Sequence, residues 1–95
     1  MEQQKRVPLT EEQKREKVLR SFVKDGRITS MPVKASKRRV ILEYVAGNYF
    51  EKDRVYAERE VNTVLAGIFE DYCTLRRELV DAGLMTRSAG EYRRA

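Results

Sequence analysis

Histidine is absent from these 95 residues, and cysteine occurs once, at Cys73. Without an imidazole, His-based acid–base catalysis and zinc sites of the Cys/His kind are excluded. A single thiol rules out an intramolecular disulfide. In a helical stretch such a cysteine is ordinarily a small, half-buried apolar residue, and a redox-sensing thiol is the sharper alternative. No apolar run approaches the ~20 residues of a membrane span. The opening Met1-Glu-Gln-Gln-Lys-Arg6 lacks the apolar stretch of a signal peptide, so a cytoplasmic location is the expectation. Internal repeats, low-complexity tracts and Pro/Gly/Ser-rich linkers are missing too. So are a Gly-rich phosphate loop, a nucleophile elbow and a metal-ligand cluster. Acidic neighbours such as Glu58/Glu60 and Glu70/Asp71 invite an acid–base reading. Glu58 and Glu60, two apart on a helix, point in different directions, and carboxylates at helix starts mostly serve as caps and dipole partners. No catalysis, cofactor, metal or small-molecule substrate is expected.

What is present fits one domain with a modest core. The net charge of +5 is unevenly spread. Residues 1–40 carry 12 Lys/Arg against 5 Asp/Glu, and residues 41–95 carry 8 against 10. A basic excess points to a polyanionic partner, nucleic acid first, although a small basic protein can owe its charge to solubility alone.

Residues 1–9 are polar and read as a flexible tail, with the domain expected over 10–95. Thr10-Glu-Glu-Gln13 has the form of a capping box, opening a helix that should run to about Lys24 and stop at Asp25-Gly26. Its apolar stripe is Val18, Leu19, Phe22 and Val23. Arg27–Met31 suggests a short strand ended by Pro32. Ser36 offers a cap for a second helix with Val40, Ile41, Tyr44 and Val45 on one face, ending at Gly47-Asn48. Arg54-Val55-Tyr56 is a very short strand candidate. Val61, Val64, Leu65 and Ile68 have helical spacing in a third helix over Glu58 to about Gly67. After Phe69-Glu70, Asp71 caps a fourth helix with Tyr72, Leu75 and Leu79 on one face, closed by Gly83. Leu84–Arg87 and Glu91–Arg94 then flank Ser88-Ala-Gly90 as a β-hairpin with a three-residue loop.

This order implies a mainly α fold with a small β component: a winged helix-turn-helix carrying an extra N-terminal helix. Four stretches carry a family resemblance: Lys24–Lys34, Lys37–Val45, Glu58-Arg-Glu-Val-Asn62 and Asp71–Leu84, the last containing Thr74-Leu-Arg-Arg-Glu-Leu-Val80. They resemble the bacterial domain-of-unknown-function family numbered twenty eighty-seven over about Lys17 to Arg94. Members of that family occur alone or attached to helix-turn-helix regulators, so the resemblance implies a regulator-like domain with no established activity. Where the family carries a histidine before the acidic pair, this chain has Phe69, and no role of that histidine transfers.

On the DNA reading, a recognition helix over about 71–82 enters the major groove of double-stranded DNA by its N-terminal half. With Tyr72, Leu75 and Leu79 inward, Thr74, Arg76 and Arg77 face outward. Arg77 can bridge guanine O6 and N7, and Thr74 can touch a thymine methyl. Arg87, Arg93 and Arg94, on a wing over about 84–94, would reach the minor groove or its phosphates. Lys34, Lys37, Arg38 and Arg39, around the start of the second helix, would hold the backbone. Against this stands an acidic body, with 5 basic and 9 acidic residues over 41–86. Arg76 and Arg77 can also be satisfied by Glu78, Asp81 or other carboxylates on a solvated face. The alternative is a protein-interaction or dimerisation module of a regulator, using Val18, Leu19 and Phe22 of the first helix in a homodimer. The other fate of that stripe is intramolecular packing on the second helix.

Overall fold

The computed structural model describes residues 8–95. The expected tail therefore lies, up to residue 7, outside the described residues. About half the chain is helical: four helices and two small antiparallel sheets are present among the described residues.

The helix α1 (Glu11–Phe22) begins where the capping box predicts. The Gln13 amide donates to Thr10 Oγ1 at 3.1 Å, and the Thr10 amide donates to Gln13 Oε1 at 3.0 Å. These bonds satisfy two amides that a helix start would otherwise leave unpaired. The helix stops at Phe22, two residues before the expected end at about Lys24. Val23–Lys24 (β1) and Arg27–Ile28 (β2) form a small hairpin instead of one strand over 27–31. Asp25 and Gly26 both have positive φ, 51° and 77°, the type I′ pattern that suits a two-residue hairpin. The Thr29 amide closes the hairpin on the Phe22 carbonyl at 2.9 Å, and the Ile28 amide fastens it to the Ile68 carbonyl at 2.8 Å.

The central helix α2 (Ala35–Tyr49) buries Ile41, Leu42, Val45 and Ala46. Its N-cap position is Lys34, without a side-chain bond, so the capping expected of Ser36 is not made; Ser36 lies inside the first turn. The helix also runs through Gly47 to Tyr49. A mid-helix glycine costs about 1 kcal/mol. Here the continued helix carries Tyr49, whose hydroxyl donates to the Gly26 carbonyl at 3.3 Å, and delivers Phe50 to the core.

The strand β3 (Val55–Ala57) leads directly into α3 (Glu58–Ala66), and α4 (Tyr72–Asp81) follows after a short turn. Asp71 caps α4 as the sequence predicts, accepting from the Thr74 amide at 3.3 Å. Gly83, at φ 76°, turns the chain out of α4. The strands β4 (Met85–Ser88) and β5 (Glu91–Arg94) then pair through a two-residue turn, Ala89-Gly90, with both residues at positive φ. The three-residue loop is thus one residue shorter, because Ser88 pairs with Glu91. The strand order is β3-β5-β4, with Tyr56 opposite Tyr92.

The core joins all of these elements. Val61, Leu65, Leu75 and Leu79 are fully buried between α3 and α4, and Met85 and Tyr92 close it from the sheet. Val18, Leu19 and Phe22 of α1 pack on this core while remaining partly exposed. No helix among the described residues is long and apolar enough to cross a membrane.

Candidate nucleic-acid interface

Of the ten residues assigned to a nucleic-acid surface, seven fall into three places. At the first, α2 meets the C-terminal half of α4. Arg38 makes an ion pair with Glu78, and its other nitrogen donates to the Pro32 carbonyl at 3.3 Å. Arg39 donates to Glu43 at 3.0 Å and to the Ala82 carbonyl at 2.9 Å. Glu43 is shared with Arg15 of α1. The Arg15 bond holds the Glu43 carboxyl below the usual carboxylate range against the opposing effect of burial, and Arg39 pulls in the same direction.

The second place is the junction of α3, α4 and the sheet. Arg76, expected to face outward, lies partly buried and donates to Asn62 Oδ1 of α3. Arg87 pairs with Glu58 at 3.6 Å, and its guanidinium sits 5.9 Å from the centre of the Tyr92 ring. The Tyr92 hydroxyl donates to the same Glu58 at 3.2 Å. Burial chiefly raises the Tyr92 pKa; Arg76 and Arg87 lower it, and Glu58 raises it again. Arg94 is also engaged, donating to the Phe50 carbonyl at 3.2 Å.

The third place holds Lys34 and Lys37. Both line a groove between α1 and the start of α2, beside Lys14, Lys17 and Phe22.

Two arginines and one threonine remain. Arg77 is exposed and has no carboxylate or hydrogen-bond partner among the described residues. At 100° per residue it stands two positions from both Leu75 and Leu79, hence on the side of α4 opposite the core. Thr74, one turn earlier, turns its hydroxyl to Asp71 at 2.8 Å. Arg93 is exposed and faces Thr86 and Val55 across the sheet, whereas Arg87 faces Tyr92. Side chains alternate along a strand, so Arg87 and Arg93 lie on opposite faces. The pairings that fix this pattern are not those expected: Glu78, offered as a partner for Arg76 or Arg77, takes Arg38 instead, and Arg76 finds Asn62. Arg38 and Glu78 are 40 residues apart, and no local periodicity connects them.

The family model described as "Uncharacterized protein conserved in bacteria (DUF2087)" matches residues 27–94. The chain belongs to this family. Its DUF2087 region begins at β2 and ends in β5, so it holds α2, α3, α4 and the three-stranded sheet, while α1 and β1 precede it. The resemblance expected from about Lys17 thus starts ten residues later. No curated protein and no solved structure matches the chain.

Proposed function

We propose that the DUF2087 region is a winged helix-turn-helix that binds double-stranded DNA through α4 and serves a cytoplasmic bacterial transcriptional regulator. The element order from α2 onward supports this reading: helix, strand, two packed helices, then a hairpin whose second strand, β5, pairs with β3. In that arrangement α4 takes the place of the recognition helix and β4–β5 that of the wing. The observation that carries it is Arg77. It is a guanidinium with no partner among the described residues, on the outer side of a helix whose inner side is anchored by two fully buried leucines. Anchoring fixes the direction of the side chain, and a guanidinium so placed can read guanine edges in a bidentate pair.

The experiment is fluorescence anisotropy with random duplexes and duplexes from upstream of the protein's own gene, over a salt series. Affinity should fall linearly on a log–log plot as counterions are released. Arg77→Ala should cost about 1–3 kcal/mol on a preferred sequence and flatten the preference. A flat anisotropy response at low ionic strength removes the DNA reading.

One observation favours a second reading, a protein-interaction module that does not touch DNA. Arg38, Arg39, Arg76, Arg87 and Arg94 are all engaged within the fold, so most of the assigned cations are spoken for. Concentration-dependent association without any mobility shift would support it.

A further inference from the structure

The groove between α1 and the start of α2 gathers Lys34 and Lys37, expected to hold a DNA backbone, and Val18 and Phe22, expected in a homodimer, around one space. Its floor is apolar: Val18 and Phe22 from α1, Val40 from α2, and Leu9, which is 44% exposed. Its rim is basic. Lys14 and Arg15 have partners in Glu11 and Glu43, but Lys17, Lys34 and Lys37 have none among the described residues. The groove encloses about 520 Å³, within the roughly 300–1,000 Å³ typical of small-molecule sites. Partly exposed apolar side chains beneath like charges are unfavourable on two counts: the apolar surface meets water, and the lysines repel one another.

We infer that this groove binds a small amphipathic carboxylate, with an alkyl or aryl body on Val18, Phe22 and Val40 and its anionic head among Lys17, Lys34 and Lys37. Such a ligand relieves both costs at once. Other occupants relieve only one. A second copy of the chain, docked about a two-fold axis, would bring the same lysines against themselves. Duplex DNA supplies charge but no apolar body to cover the floor. A neutral hydrophobe leaves the three ammonium groups uncompensated.

The test is a two-dimensional NMR titration of the full chain with decanoate, acetate and decyltrimethylammonium. Decanoate should shift the amides of Val18, Phe22 and Val40 saturably, with a dissociation constant on the order of 1 mM or tighter. Acetate, which lacks the body, and decyltrimethylammonium, which reverses the head, should bind at least about tenfold more weakly. The exposed pair Lys34→Glu/Lys37→Glu should weaken decanoate by a similar factor; Lys17→Glu makes the same test from α1 if the pair fails to fold. Three results would overturn the inference: no decanoate shifts in the groove, equal binding of the cationic amphiphile, or undiminished binding by a folded charge-reversed variant. A short duplex shifting these amides where decanoate does not would also overturn it, in favour of a polyanion surface.

Discussion

Replacing Glu78 by glutamine should lower the stability of the fold while raising its affinity for polyanions. The Arg38–Glu78 pair ties α2 to α4 across 40 residues of sequence. Its side chains are 34% and 19% exposed, so it is neither a surface pair nor a buried one. Exposed pairs contribute about 0–1 kcal/mol, and breaking a buried pair costs about 3–5. A loss of about 1–2 kcal/mol therefore fits Glu78→Gln, which keeps the shape of the side chain but removes the charge. For a domain of this size, that is a fall in Tm of roughly 5–15 °C. Arg38→Met keeps the apolar stem and removes the partner. In a double-mutant cycle by urea denaturation the two changes should couple by about 1 kcal/mol. Additivity within about 0.3 kcal/mol would refute the claim that this pair fastens the helices. The binding arm runs the other way. Glu78→Gln takes a negative charge off α4 and releases Arg38, so any DNA affinity should rise and its salt dependence steepen. Loss of both stability and affinity would place Glu78 in the binding surface itself.

Leu75→Ala opens a cavity at a fully buried position between α3 and α4, and should cost about 2–5 kcal/mol in urea denaturation. A loss below about 1 kcal/mol would mean that α4 is not anchored as described. Ala89 sits at φ 52° in the β4–β5 turn, where Asn is strongly preferred before Gly, so Ala89→Asn should stabilise by about 0.5–1 kcal/mol with an unchanged m-value. Glu43 has its folded pKa lowered below its ordinary, unfolded value, chiefly by the Arg15 bond. Its contribution is therefore present above that value and lost as pH falls through the folded pKa. Thermal melts from pH 6 to pH 2 should show a shallower acid limb for Glu43→Gln, and an identical limb would contradict the Arg15–Glu43–Arg39 arrangement.

Much of the local architecture follows from short stretches of sequence. Thr10 with Gln13, Asp71 before Tyr72, and Gly83 after α4 each act within one helical turn, so their effect depends little on the rest of the chain. The apolar spacing of α3 and α4 likewise announces which sides turn inward, and Val61, Leu65, Leu75 and Leu79 are buried accordingly. Competition between local signals was decided by distant contacts. Phe22 and Val23 continue a helical stripe, yet Val23 leaves the helix because β2 pairs with β1 and the Ile28 amide is held by the Ile68 carbonyl. Gly47 reads as a stop, yet α2 passes through it to carry Tyr49 and Phe50 into their contacts.

The candidate surface divides along the same line. That Arg77 faces away from the core is a matter of helical phase, and phase is written in the positions of Leu75 and Leu79. Whether a given arginine is free for a partner depends on which carboxylate or carbonyl the folded chain brings beside it. Glu78 reaches Arg38, Asn62 reaches Arg76 and Glu58 reaches Arg87 only once α2, α3, α4 and the hairpin have packed together. The groove between α1 and α2 is likewise a product of packing, since Lys17 and Lys34 become neighbours of one space only when the two helices meet. Periodicity and caps act over one or two turns and are legible in the chain, whereas charge pairing and cavities depend on distances that only the tertiary arrangement sets.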